Sequence, residues 1–404
     1  KGNPTLADFQ PLPLAGPWRF QLDRADVGVN EKWFTRDLAD KINLPGILQA
    51  QGYGDEISTN TPWVLSLYDK LWYQRADYLA YTQPGKVKVP FLCQPPRHYL
   101  GAAWYQRDIE IPKEWEGRRV VLFLERTRWE TRAWFDDKLI GTNHSLCTPH
   151  EFDFGIVSPG KHRLTVRVDN RMLMNYRPDA HAVSDSLGST WNGIVGKIEL
   201  RSTPLVWIDF VQTFPTRETK SVLVRGRIGN ATGQSRTNLL SIRIGNEDGN
   251  NLVAPRVAVW TAKGITVNTS LPATSTNMVI SAREQDFEMV IRPTNAITTW
   301  SEWGAGIQHA MSVELGTQPE WPGTLRFAPV TFRDFKTSGQ EFTINGRPTH
   351  LRGTHHGGDF PLTGYPPTDV AYWRKIFQIN KDWGINHIRF HSFCPPEAAF
   401  QAAD

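Results

Sequence analysis

At 404 residues the chain is too long for one ordinary domain, and each of two or three domains could bury its own core. Charged residues make up 21% and hydrophobic residues 40%, a balance that excludes a disordered chain. The formal charge of +4 comes from 45 basic and 41 acidic residues interspersed without a Lys/Arg block, so no nucleic-acid partner is expected. Three scattered cysteines, Cys93, Cys147 and Cys394, make no disulfide framework, and no CxxC points to zinc. No apolar run approaches the roughly 18 residues of a spanning helix, so no membrane insertion is expected. The chain opens KGNPT without a Met, which suggests a removed signal peptide and a secreted or periplasmic protein. Tryptophan is abundant, with 16 residues. Most are expected in sandwich cores, where a large ring fills the space between sheets; the alternative is stacking on sugar faces.

Residues 1–202 read as an all-β domain of jelly-roll type. Pro17 to Leu22 alternates apolar and polar residues with period two. A long irregular region follows, with Gly and Pro in LPGILQAQGYGDE and STNTPWVLSLYDKLWY; loops of this length tend to be functional. Regular strands return at Ala103 to Arg107 and at Arg119 to Leu124. Arg132 to Phe135, the turn Asp136-Asp137-Lys138 and Leu139 to Gly141 form a hairpin. Leu164, Val166 and Val168 alternate with Arg163, Thr165 and Arg167, the pattern of a half-buried antiparallel strand.

Residues 203–330 read as a smaller, immunoglobulin-like β-sandwich that serves as a spacer. Its strands are Ser221 to Ile228, Leu239 to Ile244, Val253 to Trp260 and Asp286 to Ile291, with GITVNTSLPATSTN as a polar connection.

Residues 331–404 change pattern. Thr349 to Gly353 reads as a short strand, and a Gly- and Pro-rich loop runs on to Thr368, the expected helix N-cap. Val370, Trp373, Ile376, Phe377, Asn380 and Trp383 recur at helical spacing, and Gly384 ends the helix. Ile385 to Phe390 is the next strand. Strand, helix, strand predicts a parallel βαβ unit.

Both strands of such a unit end on one rim, which in a (β/α)8 barrel is where chemistry sits. The first strand ends at Thr354-His355-His356 and the second at Arg389-Phe390-His391-Ser392, so a guanidinium and up to three imidazoles could share one mouth. Arg can hold a carboxylate in a bidentate fork, and His can donate to a sugar hydroxyl or carry a proton near neutral pH. Arg389, inside an apolar strand, is expected to be buried and paired. Of His355 and His356, one should face the site and one should be structural. His391 divides evenly between site and ordinary loop, and His387 is expected to face the helix as a core residue. No HxH spacing supports a metal, and neither metal nor cofactor is expected.

FTINGRPTHLRG, followed by a helix ending WGINHIR, resembles the opening of the catalytic barrel in glycoside hydrolase family 2, the β-galactosidase and β-glucuronidase group. Upstream, Trp18-Arg19-Phe20, Trp104-Tyr105-Gln106-Arg107, WFDDKLIG, Thr148 to Asp153, Leu164 to Asn170 and Trp191-Asn192-Gly193-Ile194 resemble that family's sugar-binding domain in the same order. Phe332-Arg333 resembles the lead into the barrel. The resemblance implies a mainly β fold: a jelly-roll sugar-binding domain, an immunoglobulin-like sandwich and the truncated start (β-α-β) of a TIM (β/α)8 barrel. It implies a retaining glycosidase that uses two glutamates, an acid/base and a nucleophile, from strands four and seven of the barrel. Neither glutamate is in this chain, which ends after strand two, so the parent protein is expected to be an O-glycosyl hydrolase and this chain alone inactive.

The resemblance also implies that Arg389 orients the nucleophile, and that a loop of the first domain, containing Asp185 and Trp191, lines the pocket. Where the family reads G-x-N-R-H-E, this chain has Gly353-Thr354-His355-His356-Gly357-Gly358; where it reads R-x-S-H-Y-P, this chain has Arg389-Phe390-His391-Ser392-Phe393-Cys394-Pro395. These departures mark a divergent branch. The implied partner is a carbohydrate, either a β-galactoside- or β-glucuronide-like compound or a related plant or host glycan, and homo-oligomerisation is left open. The alternative is a non-catalytic, lectin-like carbohydrate-binding module whose first-domain aromatics are the working surface. A lone βαβ unit cannot bury both faces of its strands, so residues 341–404 should pack against another domain or another chain.

Overall fold

The computed structural model describes residues 10–64, 71–173, 183–188, 190–218, 220–245, 251–253, 256–261, 264–267, 275–292, 299–300, 309–316 and 324–404. The chain is mostly β, with two sandwiches followed by a small α/β unit. In the first sandwich, a six-stranded sheet lies against a five-stranded one. The central strand Ala102–Ile111 pairs antiparallel with both Gly16–Asp23 and Gly160–Asp169. The facing sheet is built on Arg119–Thr127, which pairs with Gly193–Thr203 and His150–Ile156. Alternation points Trp18, Phe20, Tyr105, Leu122, Leu124, Leu164 and Val166 into one core between the sheets. The hairpin forms as expected between Glu130–Phe135 and Lys138–Asn143, with Asp136 in the left-handed region at φ 52°.

The expectation for the strand Gly160–Asp169 is only half met. Leu164, Val166 and Val168 face the core, but Thr165 and Arg167 are buried as well. A second layer of side chains, Trp33, Leu38, Trp104 and Trp134, covers that outer face. Arg167 tolerates burial because Asp26, Glu130 and Asp169 surround its guanidinium at 2.7–3.1 Å. Sequence alternation reports polarity, and here an ion network lies beneath the covering loop.

The second sandwich packs a sheet of Val206–Thr216, Ser221–Asn230, Glu284–Arg292, Arg256–Thr261 and Gly264–Val267 against one built on Arg236–Gly245. Ile208, Val222, Val224, Leu240, Ile242, Met289, Ile291, Met311 and Val313 make its core. Phe332 is buried in this core and does not belong to the unit that follows. The run expected as one strand, Val253 to Trp260, contains the end of Asn251–Val253 and most of Arg256–Thr261. Part of the GITVNTSLPATSTN connection lies outside the described residues. The two sandwiches meet where the Arg119 guanidinium lies 3.9 Å over the Trp207 ring.

The last segment begins with a three-stranded meander, Phe335–Ser338, Glu341–Ile344 and Arg347–Thr349. Asn345-Gly346, both at positive φ, makes the tight turn between its last two strands. Thr349 therefore ends the meander, and the first parallel strand is Gly353–His356, later than the sequence suggests. It runs parallel to His387–Phe390, with the helix Val370–Asp382 between them in sequence. The N-cap is Asp369, not Thr368: its carboxylate accepts from the amides of Ala371 and Tyr372 at 3.1 and 3.2 Å. A carboxylate there also complements the positive end of the helix dipole. Gly384, at φ +73°, ends the helix by donating to the Lys381 carbonyl at 2.9 Å. Trp383 is 81% exposed, outside the apolar stripe expected for it. A short helix, Glu397–Ala403, closes the chain and buries Ala398 and Ala399 beside Trp373.

Trp373 is fully buried at the centre of this unit. Its ring packs on Phe360, Phe377 and Phe390, and its indole N–H donates to the Pro367 carbonyl at 2.8 Å. Trp373→Ala should cost about 3–5 kcal/mol, through lost burial and a cavity. Hydrogen exchange should show the loss at amides of the helix Val370–Asp382, while the core of the second sandwich keeps its protection.

Candidate functional site

The parallel register decides which strand-end residues meet. Gly353 lies opposite His387, Thr354 opposite Ile388, His355 opposite Arg389 and His356 opposite Phe390. Successive side chains alternate, so Thr354, His356, Ile388 and Phe390 turn toward the helix. Gly353, His355, His387 and Arg389 share the other, open face, and each of them is exposed. Two expectations are corrected here. Arg389 is exposed and makes no ion pair with a described residue, and His387 stands beside it instead of packing on the helix. The cause is period two: once Ile388 and Phe390 take the helix side, both neighbours must face away.

The two adjacent histidines take different environments. His356 packs among Phe360, Trp373, Phe390 and Phe393, with ring centroids 5.4–6.2 Å away. One of its ring nitrogens accepts from the Gly358 amide at 3.1 Å. Burial lowers its pKa below the ordinary value, against an opposing effect of Asp359. His355 stands on the open face and shares a hydrogen bond with His391, Nε2 to Nδ1 at 2.7 Å. The His391 amide donates to the His356 carbonyl at 2.9 Å, which carries the chain past the strand end in register. Arg389, next to His355, completes a strand-end group of one guanidinium and two imidazoles. Such a group can bind a carboxylate, donate to hydroxyls and relay a proton.

Asp185 and Trp191 sit elsewhere in the first sandwich. Asp185 is 1% exposed and holds two backbone amides, Val64 at 2.8 Å and Thr190 at 2.9 Å. This ties the long irregular loop to the segment before Trp191. Trp191 packs with Ile47 and Val195, and its ring lies 6.5 Å from that of Tyr365 in the α/β unit. No described contact joins either residue to His355, Arg389 or His391. Of the nine first-domain tryptophans, eight are buried, and Trp63 is half-buried against Phe91 and His98. Most of them are thus core residues, as expected.

Sequence reasoning missed Arg126 and Arg128. Both are buried, on the apolar strand Arg119–Thr127 and just beyond it. Arg126 donates to the carbonyls of Cys394 at 2.9 Å and Pro395 at 3.2 Å, which holds the α/β unit to the first sandwich. Cys93, donating through its thiol to the Phe360 carbonyl at 3.6 Å, makes a second tie. The expected packing of residues 341–404 on another domain is thus met on the first sandwich. The signal lay in ERTRW, two arginines directly after an apolar run.

The family model for the glycosyl hydrolases family 2 sugar-binding domain matches residues 12–83 and 63–204, the whole of the first sandwich. The first sandwich is a glycoside hydrolase family 2 sugar-binding domain. Among relatives of the chain, a β-glucuronidase of Rattus norvegicus is 22% identical over 392 residues, covering 84% of this chain and 55% of that protein. A β-galactosidase of Thermoanaerobacter pseudethanolicus is 22% identical over 307 residues, 73% of this chain and 37% of that protein. The crystal structure of a Bacteroides uniformis β-glucuronidase superposes with a TM-score of 0.66 at 18% identity, covering 98% of this chain and 41% of that one. A family 2 β-galacturonidase from Eisenbergiella tayi, solved bound to galacturonate, gives 0.63 at 15% identity, covering 98% and 55%. The chain spans about half or less of the length of these family 2 proteins.

The burial of His356 makes a pH prediction. Its folded pKa lies below the unfolded value of about 6.5, so the unfolded chain takes up the proton first as pH falls. Its contribution to stability is complete above pH ~6.5 and is lost below it, toward the folded pKa. In NMR titration of the imidazoles, His356 should have a midpoint under 6.5; a midpoint at or above that value would contradict the packing described.

Proposed function

We propose that the chain carries the sugar-binding domain and the first rim residues of a retaining family 2 glycosidase that cleaves β-glycosides such as galactosides or uronides. The observation that carries this reading is the parallel strand pair, whose register puts His355 and Arg389 side by side with His391 hydrogen-bonded to His355. In this reading, Arg389 holds the nucleophilic carboxylate ionised and oriented. A guanidinium in an open position is available for that partner, where a buried and paired one would not be. The His355–His391 pair donates to sugar hydroxyls. Relatives bearing the names β-glucuronidase and β-galactosidase support the substrate class.

By itself the 404-residue chain is expected to be inactive. A retaining mechanism needs two carboxyl groups about 5–5.5 Å apart, one nucleophile and one acid/base. Neither the strand ends 353–356 and 387–390 nor the turn 391–392 carries an Asp or Glu. Purified chain incubated with aryl β-glucuronide, β-galactoside and β-galacturonide should release no phenol above the blank. Turnover that vanishes in Arg389→Ala would overturn both the inactivity and the division of labour. The lectin-like reading predicts calorimetric sugar binding by the first sandwich, and the burial of its tryptophans counts against it.

A further inference from the structure

The outer face of the second sandwich carries an ordered group of side chains that its core does not use. In the strand Val206–Thr216, Ile208 is buried in the core. A register shift between Ile208 and Phe210 then turns Phe210, Gln212 and Phe214 outward together. They begin three rows across the sheet. Phe210 lies opposite Arg227, and Arg227 opposite Asp286. Gln212 lies opposite Arg225, and Arg225 opposite Glu288. Phe214 lies opposite Leu223, and Leu223 opposite Val290. A depression of about 550 Å³ on this face is lined by Phe210, Gln212, Arg225, Asp286 and Glu288, among others. That size is ordinary for a small-ligand site.

Folding does not account for the rings. Phe210 is 40% exposed and Phe214 44%, and neither belongs to the core between the sheets. Each has a guanidinium beside it, Arg227 at 5.8 Å from the Phe210 centroid and Arg225 at 5.4 Å from that of Phe214. The guanidiniums are themselves fixed. Arg225 donates through Nε to Glu288 at 2.6 Å, and Arg227 donates to Asp286 at 2.7 Å and to Glu284 at 3.4 Å. Polar groups already held in place lose little freedom when a ligand binds. The Gln212 amide, between the two rings, has no hydrogen-bond partner among the described residues.

Charge and spacing choose the occupant. Two guanidiniums face three carboxylates, so the face does not attract an anion. Phe210 and Phe214 stand about 13 Å apart along the extended strand with a polar row between them, unlike the continuous apolar centre of a protein interface. A pyranose has the matching character: its C–H face meets the negative face of an aromatic ring, and its rim carries hydroxyls.

We infer that this face is a binding platform for a neutral oligosaccharide, with Phe210 and Phe214 stacked on sugar rings and Gln212, Arg225 and Glu288 bonding to hydroxyls. The platform lies outside the α/β unit, does not rest on the glycosidase reading and would stand if that reading failed.

The test titrates the whole chain by calorimetry with two neutral β-1,4-linked probes, cellotetraose and galactotetraose, and with tetragalacturonate as the charged control. Saturable binding of a neutral probe is expected, with tetragalacturonate about tenfold weaker or more. Phe210→Ala and Phe214→Ala should each weaken the neutral probe about tenfold. Gln212→Ala removes an amide that the fold does not use, so it should weaken binding several-fold at an unchanged melting temperature. That variant keeps the site testable should a phenylalanine variant not fold. No binding of either neutral probe would overturn the platform, as would tetragalacturonate binding as tightly as they do. Binding retained in all three variants would put the sugar on another surface and overturn it equally. So would a dimer in sedimentation that Phe214→Ala abolishes with no sugar bound, because a second copy would then be the occupant.

Discussion

The contact on which the lower half of the molecule depends is the Arg126 guanidinium against the carbonyls of Cys394 and Pro395. A parallel strand pair with one covering helix has more apolar surface than it can bury within itself. The helix side is satisfied internally by the Trp373, Phe360, Phe390 and Phe393 cluster, extended by Ala398 and Ala399. What remains is to dock that cluster on something rigid, and the strand Arg119–Thr127, at the centre of the five-stranded sheet, is that support. A charged donor reaching two successive carbonyls fixes position as well as distance, because both bonds hold only in one orientation. The thiol of Cys93 on the Phe360 carbonyl and the Trp191–Tyr365 contact then restrict rotation about that anchor.

The same docking explains why the imidazole and guanidinium groups of the open face stay in water. Since Ile388 and Phe390 must face the helix, His387 and Arg389 are directed the opposite way, and the parallel partner adds His355. The face is therefore polar because of packing on its reverse side. His356, one residue from His355, has its opposite environment, with its ring among aromatics and its charged form disfavoured. Adjacent residues of one type thus acquire different chemistry from strand alternation alone.

Much of this was legible in the sequence, and the misses share a cause. Strands such as Arg119–Thr127 and Ser221–Asn230 could be read because their apolar periodicity is strong and local. The helix could be read as well, but its cap moved by one residue, since Thr368 and Asp369 are both good caps and it is the Asp369 carboxylate that accepts from the first-turn amides. Arg389 was misplaced because an arginine between Ile388 and Phe390 looks buried in a linear run, whereas in a two-stranded sheet its face has no cover. Arg167 shows the reverse: its alternation suggested solvent, and Asp26, Glu130 and Asp169 made burial possible. In each case the environment was set by a segment far away in sequence, to which local periodicity is blind.

Arg126 is the strongest instance. Its partners lie 268 and 269 residues away, and nothing within a window around ERTRW names them. The buried charges nevertheless left a mark, because arginine beside an apolar strand is expensive and is kept where a specific geometry needs it. For Arg126 that geometry is a junction between a sugar-binding sandwich and a unit bearing a strand-end histidine pair. A junction held by a cation in an apolar setting is sensitive to whatever neutralises or competes for that cation. The position of the open face relative to the first sandwich therefore depends on two hydrogen bonds that the face itself does not make.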